Sequence, residues 1–322
     1  MLEGALNALK IVLSLKENER VLVVTDDKKK AIGEAFYQAS KQLGAKPKIY
    51  ILPSERPLKD IPSELQTIIQ NNHVIVNAFE GFADETPFRI KLIKKEIAGN
   101  ARVGHAPGIT EDMMLKGAMT ADYKDIANKA EMLMNKFRNA NQVKIAAPSG
   151  TDIALEIGAR EFESDVKIKP GSFGNLPAGE IWCAPHEGSA RGIIVCDGSI
   201  GDLGQVRKNL KIEVRNGKIV ALDSEDVKLV DRVKELISID EEASVIGELG
   251  IGLNQNARLS GNLLEDEKAG GTAHIAFGNN ENMPGGKNRS KTHRDFLFYK
   301  PTIEVLYGNR KKKIVIKDGL VV

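Results

Sequence analysis

His293 and Asp295 stand two residues apart, and the apolar run Phe296-Leu-Phe298 follows them. In an extended strand, positions i and i+2 point to one face, so an imidazole and a carboxylate at this spacing form a chelating pair. His274 lies in the apolar stretch Ala-His-Ile-Ala-Phe, which reads as a buried element. Two acids sit where charge is out of place. Glu180 leads into Ile-Trp-Cys-Ala, and Glu248 interrupts Val-Ile-Gly-Glu-Leu-Gly-Ile-Gly-Leu, where an unpaired charge costs on the order of several kcal/mol. Together, Glu180, Glu248, His274, His293 and Asp295 are a mixed nitrogen and oxygen ligand set suited to one or two divalent ions such as zinc, cobalt or manganese. Two ions about 3.5 to 4 Å apart would need a bridging carboxylate or water, and would activate water at neutral pH. Charge points the same way, since three carboxylates in a dry site repel one another unless cations neutralise them. An HxD pair alone is a weak motif. The same spacing also fits a hydrogen-bonded core His274 and a surface cluster His293-Arg-Asp295.

The elements that must position these groups differ between the two halves. Arg20 to Asp26, Lys46 to Leu52, His73 to Phe79 and a shorter run from Ala101 read as strands. Helical spacing covers Lys28 to Leu43 and Pro62 to Gln70, and Thr86-Pro87 opens another helix with proline in its first turn. This alternation implies a parallel sheet covered by helices on both faces. It does not imply a nucleotide site. No GxGxxG follows Val24, no GxxxxGK[ST] occurs anywhere, and Asp26-Asp27-Lys-Lys-Lys puts acids where a phosphate loop needs glycines. A helix over Asp122 to Arg138 reads as the connector. From Gln142 onward glycines become denser and strands dominate. Asn216-Gly217 marks a type I′ hairpin turn, Ser224 to Ile237 is helical, and Gly247, Gly250 and Gly252 let the backbone around Glu248 approach other groups closely. The chain therefore reads as α/β, with a helix-flanked parallel-sheet, Rossmann-like domain over residues 1–140. A strand-rich α+β catalytic domain carrying the metal site follows over 141–322.

Size and composition set bounds. The 322 residues are 42% hydrophobic and 28% charged, an ordinary globular balance, and the net charge of +2 is too small to imply a nucleic-acid partner. Lys311 to Lys313 is a short basic cluster that reads as a solvated strand edge. The two cysteines, Cys183 and Cys196, form no CxxC pair, which points to a reducing, cytoplasmic setting. The first ten residues read as an amphipathic helix, and no apolar run reaches the roughly 18 to 20 residues of a membrane span.

Several motifs in the second half occur together. They are Asn175-Leu-Pro-Ala-Gly-Glu180, Ala184-Pro-His-Glu187 with Gly192 beyond, Gly247-Glu248-Leu-Gly, and Glu265-Asp-Glu-Lys leading to His274-Ile-Ala-Phe-Gly278. Asn288-Arg-Ser-Lys-Thr-His293-Arg-Asp295-Phe completes the set. In order and approximate separation, over about Pro170 to Phe296, they resemble the aminopeptidase T family of metalloaminopeptidases. The resemblance implies a dinuclear metal site with Glu180, Glu248, His274, His293 and Asp295 as ligands, and a homodimer. The family also places a tyrosine close to its metals, where this chain reads Phe277-Gly-Asn-Asn-Glu281.

Two chemistries follow. In the first, a metal-dependent aminopeptidase removes the N-terminal residue of a short peptide, and a carboxylate takes the water proton and passes it to the leaving amine. Glu187, Glu267 and Glu281 are the candidates for that base, and the sequence does not choose among them. In the second, His274, His293 and Asp295 serve as a two-histidine, one-carboxylate set for non-haem iron(II), as in a dihydroxypyridine dioxygenase similar to the same peptidase family. A third reading is a metal-binding protein without peptidase turnover. Glu180 and Glu248 discriminate, because five converging ligands favour two metals and hydrolysis.

Overall fold

The computed structural model describes residues 1–322. The chain divides into two compact units, Met1–Ala127 with Asp165–Gly179, and Asn128–Ser164 with Glu180–Val322. The chain first passes between them within the helix Tyr123–Phe137.

In the first unit, β-branched runs form a five-stranded sheet in the order Lys46–Ile51, Arg20–Thr25, Val74–Ala78, Arg102–His105, Ser172–Asn175. Every pairing is parallel. Its central strands are wholly buried, so their apolar residues need cover on both faces. On one face Leu22, Val24, Ile75 and Val103 pack with Leu65, Phe88 and Leu92 from the helices Ser63–Ile68 and Thr86–Ala98. On the other, Gly33 of the helix Lys30–Gln42 lies against Thr25. The helix-flanked parallel sheet read from the sequence is present, although the helix expected over Pro62 to Gln70 is shorter.

The second unit holds two antiparallel sheets. The eight-stranded sheet includes the hairpin Leu210–Arg215 and Lys218–Asp223, whose turn residues Asn216 and Gly217 have φ of 48° and 75°, the left-handed pair that a type I′ turn requires. It also includes Lys312–Lys317, whose first three residues are exposed. The helix expected from Ser224 begins instead at Val227, because the Asp226 carboxylate accepts the Leu229 N–H and caps it there. The seven-stranded sheet runs Gly204–Gln205, Ser199–Ile200, His293–Tyr299, Thr272–Gly278, Ile246–Gly252, Glu180–Cys183, Glu163–Ser164. Its four longest strands are adjacent, and each carries one or two of the singled-out residues. No helix is long and apolar enough to cross a membrane.

Candidate metal centre

Register brings the residues together. Residues directly opposite one another in an antiparallel pair share a face. His293 lies opposite Gly278, Asp295 opposite Ala276, and Leu297 opposite His274. On its other side the strand Thr272–Gly278 sets His274 opposite Gly250 and Ala276 opposite Glu248. Gly252 lies opposite Glu180. Glu180, Glu248, His274, His293 and Asp295 therefore project from one face of four neighbouring strands.

Small residues at the intervening positions leave room for them. Gly250 is the critical one, since a Cβ there would lie 1.9 Å from His274 Nε2. The imidazole rests on bare backbone, and no other residue type fits beneath it.

The ring nitrogens face the carboxylates. His274 Nε2 is 3.5 Å from Glu248 Oε1, 3.6 Å from Glu180 Oε2 and 3.8 Å from Asp295 Oδ1. His293 Nε2 is 3.1 Å from Glu248 Oε2 and 3.5 Å from Asp295 Oδ1. Two ligand triads result, Glu180 with Glu248 and His274, and Glu248 with His293 and Asp295. Glu248 belongs to both and offers one oxygen to each imidazole. The His293 side chain is 30% exposed, whereas the other four are 8% or less, so the centre opens to solvent on the His293 side.

Hydrogen bonds orient the outer imidazole. His293 Nδ1 lies 2.7 Å from the Asn279 carbonyl oxygen. A carbonyl only accepts, so Nδ1 carries the proton and Nε2 is turned to the carboxylates, the arrangement of a metal-ligating histidine. The loop supplying that carbonyl is itself tied down. The Asn280 amide donates to the Gly247 carbonyl at 3.0 Å, and the Asn288 N–H donates to Asn280 Oδ1 at 2.8 Å. The Lys287 N–H donates to Glu187 Oε1 at 2.8 Å, and Arg160 Nη2 pairs with Glu187 Oε2 at 3.0 Å.

The three candidate bases thus occupy different settings. Glu187 anchors this loop. Glu281 is exposed and pairs with Arg289 Nε at 2.9 Å. Glu267 is half-buried, pairs with Lys268 Nζ at 2.6 Å, and lies within the electrostatic reach of Asp295 and His274.

Lys268 is a member of this neighbourhood that the sequence reading passed over. Its side chain is fully buried and ion-paired with both Glu180 and Glu267. Within Glu265-Asp-Glu-Lys it looks like one charge of a solvated run. Only the strand Thr272–Gly278 beyond it, with an imidazole two turns of sequence away, hints at an inward direction.

The protonation pattern tests whether the donor set fits a metal. Burial pushes the Glu248 carboxyl up, but hydrogen bonds from His274 and His293 and their charge outweigh it, and the group lies well below the usual carboxylate range. Burial lowers the His274 imidazole, yet the hydrogen bond to Glu248 and the charges of Glu180, Asp295 and Glu248 lift it to about 9. His293 is likewise raised well above its ordinary value against the effect of burial, chiefly by Asp295 and Glu248. The Glu267 carboxyl is raised by burial and by Asp295, with Lys268 opposing. The carboxylates thus demand positive charge at the Nε2 atoms, which protons supply in the protein alone. Divalent ions would supply it at the same positions, and carboxylate oxygen with imidazole nitrogen is an ordinary donor set for them. The residues fit.

A model of the thermophilic metalloprotease (M29) family matches residues 114–320. Aminopeptidase T of Thermus aquaticus is 28% identical over 148 residues, 41% of this chain and 35% of that protein. The match thus spans about a third of that relative's length. Among solved structures, the 2,5-dihydroxypyridine dioxygenase of Pseudomonas putida KT2440 superposes with a TM-score of 0.78 at 18% identity, covering 100% of this chain and 96% of that one. Wild-type AmpT from Thermus thermophilus superposes with a TM-score of 0.69 at 16% identity, covering 100% and 98%. At these identities the superpositions show the fold, a helix-flanked parallel sheet joined to strand-rich antiparallel sheets. The family model covers well over half of the sequence, and the chain belongs to the thermophilic metalloprotease (M29) family, that of aminopeptidase T.

Proposed function

We propose that this protein is a metal-dependent aminopeptidase that removes the N-terminal residue of short peptides at a dinuclear centre held by Glu180, Glu248, His274, His293 and Asp295. The observation that carries the reading is that Glu248 belongs to both ligand triads, with one oxygen toward each imidazole. A carboxylate so placed is suited to bridge two ions. Zinc, cobalt and manganese all suit the donors, and a homodimer is the assembly that the family resemblance implies.

Bound at this centre, a pair of divalent ions supplies a polarised scissile carbonyl and an acidified water. The remaining work falls to side chains. Glu267 is our choice of general base, because it shares the field of Asp295 and His274 and pairs with the same Lys268 that binds Glu180. Burial and Asp295 raise its pKa, which favours its taking up a proton during the reaction. Glu267 accepts the water proton as the water oxygen bonds to the carbonyl carbon, then delivers it to the peptide nitrogen as the carbon–nitrogen bond breaks. Lys268 holds Glu267 in place through its ion pair. Glu187 keeps the Asn279 carbonyl on His293 and thereby fixes that ligand's orientation. Where the family resemblance places a tyrosine, Phe277 packs against Phe296 with ring centroids 5.7 Å apart, and Glu281 turns to solvent.

The same face contains a two-histidine, one-carboxylate set, with Asp295 Oδ1 3.8 Å from His274 Nε2 and 3.5 Å from His293 Nε2. This supports a second reading as an iron(II) ring-cleaving dioxygenase of the dihydroxypyridine type. Glu180 and Glu248 stand against it, since both point into the centre where an oxygenase needs open positions. Metal analysis of the protein purified without added metal, with leucyl-peptide and oxygen-uptake assays, separates the two. About two zinc, cobalt or manganese ions per chain with peptide hydrolysis support the aminopeptidase. One iron with oxygen consumption replaces it with the oxygenase.

A further inference from the structure

Resting on the dinuclear reading, a second observation distinguishes the two halves of the centre. The half built from Glu180, Glu248 and His274 already contains a fixed cation. Lys268 Nζ is buried and bound to Glu180 Oε1, the oxygen next to the Oε2 that faces His274 on the same carboxylate. The half built from Glu248, His293 and Asp295 has no such neighbour, and no lysine or arginine is ion-paired with Glu248 or Asp295. The two halves otherwise offer the same donors, one imidazole and two carboxylates, and share Glu248.

We propose that Lys268 makes the two metal positions unequal, so that the ion at His293 and Asp295 is tightly held and the ion at Glu180 and His274 is weakly held and exchangeable. A divalent ion entering beside Glu180 must share that carboxylate with an ammonium group that has nowhere to retreat. Like charges this close in a buried site repel strongly. An ion entering at Asp295 meets carboxylates with no ammonium or guanidinium partner. Access differs as well. His293 is the exposed member of the set, so the tight position is also the one first reached from solvent. Lys268 is thus a positioning residue whose charge sets the order of loading. The centre is a resident ion plus a second whose occupancy follows the supply of metal.

The test is calorimetric titration of Mn²⁺ into metal-free full-length protein, wild type and three variants. The wild type should bind in two steps with dissociation constants separated by about tenfold or more. Asp295→Asn should lose the tight step, and Glu180→Gln the weak one. Lys268→Met removes the ammonium at nearly constant length, and should strengthen the weak step until the two differ by less than about threefold. Circular dichroism verifies each fold. If Lys268→Met does not fold, the Asp295 and Glu180 pair still decides, because a weak step lost on Asp295→Asn overturns the assignment. Two equal steps in the wild type, or an unchanged gap in a folded Lys268→Met, overturn the inference and leave the dinuclear reading standing. An absence of Mn²⁺ binding to the wild type removes both.

Discussion

Gly250→Ala probes the centre without touching a ligand. Position 250 has no positive φ, so alanine brings no backbone strain there, and the strand and its pairings can remain. The added methyl would lie 1.9 Å from His274 Nε2, 2.2 Å from Cε1 and 2.7 Å from Cδ2. Ordinary carbon contacts are about 3.5 to 4.0 Å, so the imidazole must retreat by roughly 1.5 Å. Bonds to a metal tolerate only about 0.2 Å of error, so His274 leaves the donor set. Its triad keeps Glu180 and Glu248 alone. Bound metal should fall from about two ions per chain to one, and leucyl-peptide hydrolysis by about a hundredfold or more, as expected when a reacting group is displaced by an ångström. Crowding of the core should cost about 1 to 3 kcal/mol, visible as a modest drop in Tm. Gly188→Ala is the control, because a Cβ there meets nothing within 4 Å and should change neither metal nor rate. Metal content by mass spectrometry and initial rates on a leucyl peptide give the answer. A folded Gly250→Ala protein with wild-type metal content and rate would refute the placement of His274 in the centre.

Three other outcomes are expected. Glu248→Gln removes the shared ligand, so bound metal should drop to one ion or fewer and hydrolysis should fall by about a thousandfold or more, while circular dichroism stays native because a neutral amide relieves acid–acid repulsion. Glu267→Gln should lower kcat by about 10² to 10⁴-fold with the ion at His293 and Asp295 retained, and loss of that ion together with the rate would reassign Glu267 as a ligand. In the first unit, burial pushes the Glu96 carboxyl up from 4.5 to about 8 against a hydrogen bond from the Asn77 amide. A raised folded pKa gives stability that is present below the unfolded value and lost as pH rises through the folded one, here a loss of roughly 5 kcal/mol between pH 4.5 and 8. Glu96→Gln should abolish that alkaline loss, so urea denaturation at pH 5 and pH 9 should show the variant gaining on the wild type only at the higher pH.

How much of this was legible differs from residue to residue. His293 and Asp295 declare a shared face through their spacing, since the period of a strand is a local property. Glu180 and Glu248 were conspicuous because each interrupts an apolar run, and burial of both explains why the runs are apolar. The parallel sheet of the first unit was legible from the alternation of β-branched runs and helical spacing. Convergence itself was not legible, because it depends on strands 20 to 70 residues apart pairing in one register. The three acids proposed as a base looked alike in sequence, and their partners Arg160, Lys268 and Arg289 separate them. The Asn279 carbonyl that orients His293 carries no side-chain signature at all. Lys268 was hidden by its charged neighbours, because direction of burial in a short irregular segment is set by tertiary packing.

The strand Ile246–Gly252 pairs out of step at its start, where Ile246 lies opposite Phe277 but Glu248 lies opposite Ala276. Gly247 is the supernumerary residue, and a side chain there would strike the Gly278 carbonyl at 2.5 Å. This bears on how such a chain can vary over time. Connections that carry neither Glu267 and Lys268 nor the Asn279 carbonyl can gain or lose residues without moving any donor. Deleting Gly247 would only flatten this bulge and keep Glu248 opposite Ala276, whereas a single-residue deletion within Leu249 to Ile251 would shift Glu248 by one rung, and a slip by one turns side chains to the opposite face. The sheet would survive with its hydrogen bonds made, yet Glu248 would point away from the imidazoles. Length changes in the regular part of this strand are therefore tolerable for folding and fatal for the centre, which confines inherited insertions and deletions to the bulge and to connections that hold none of its supporting groups.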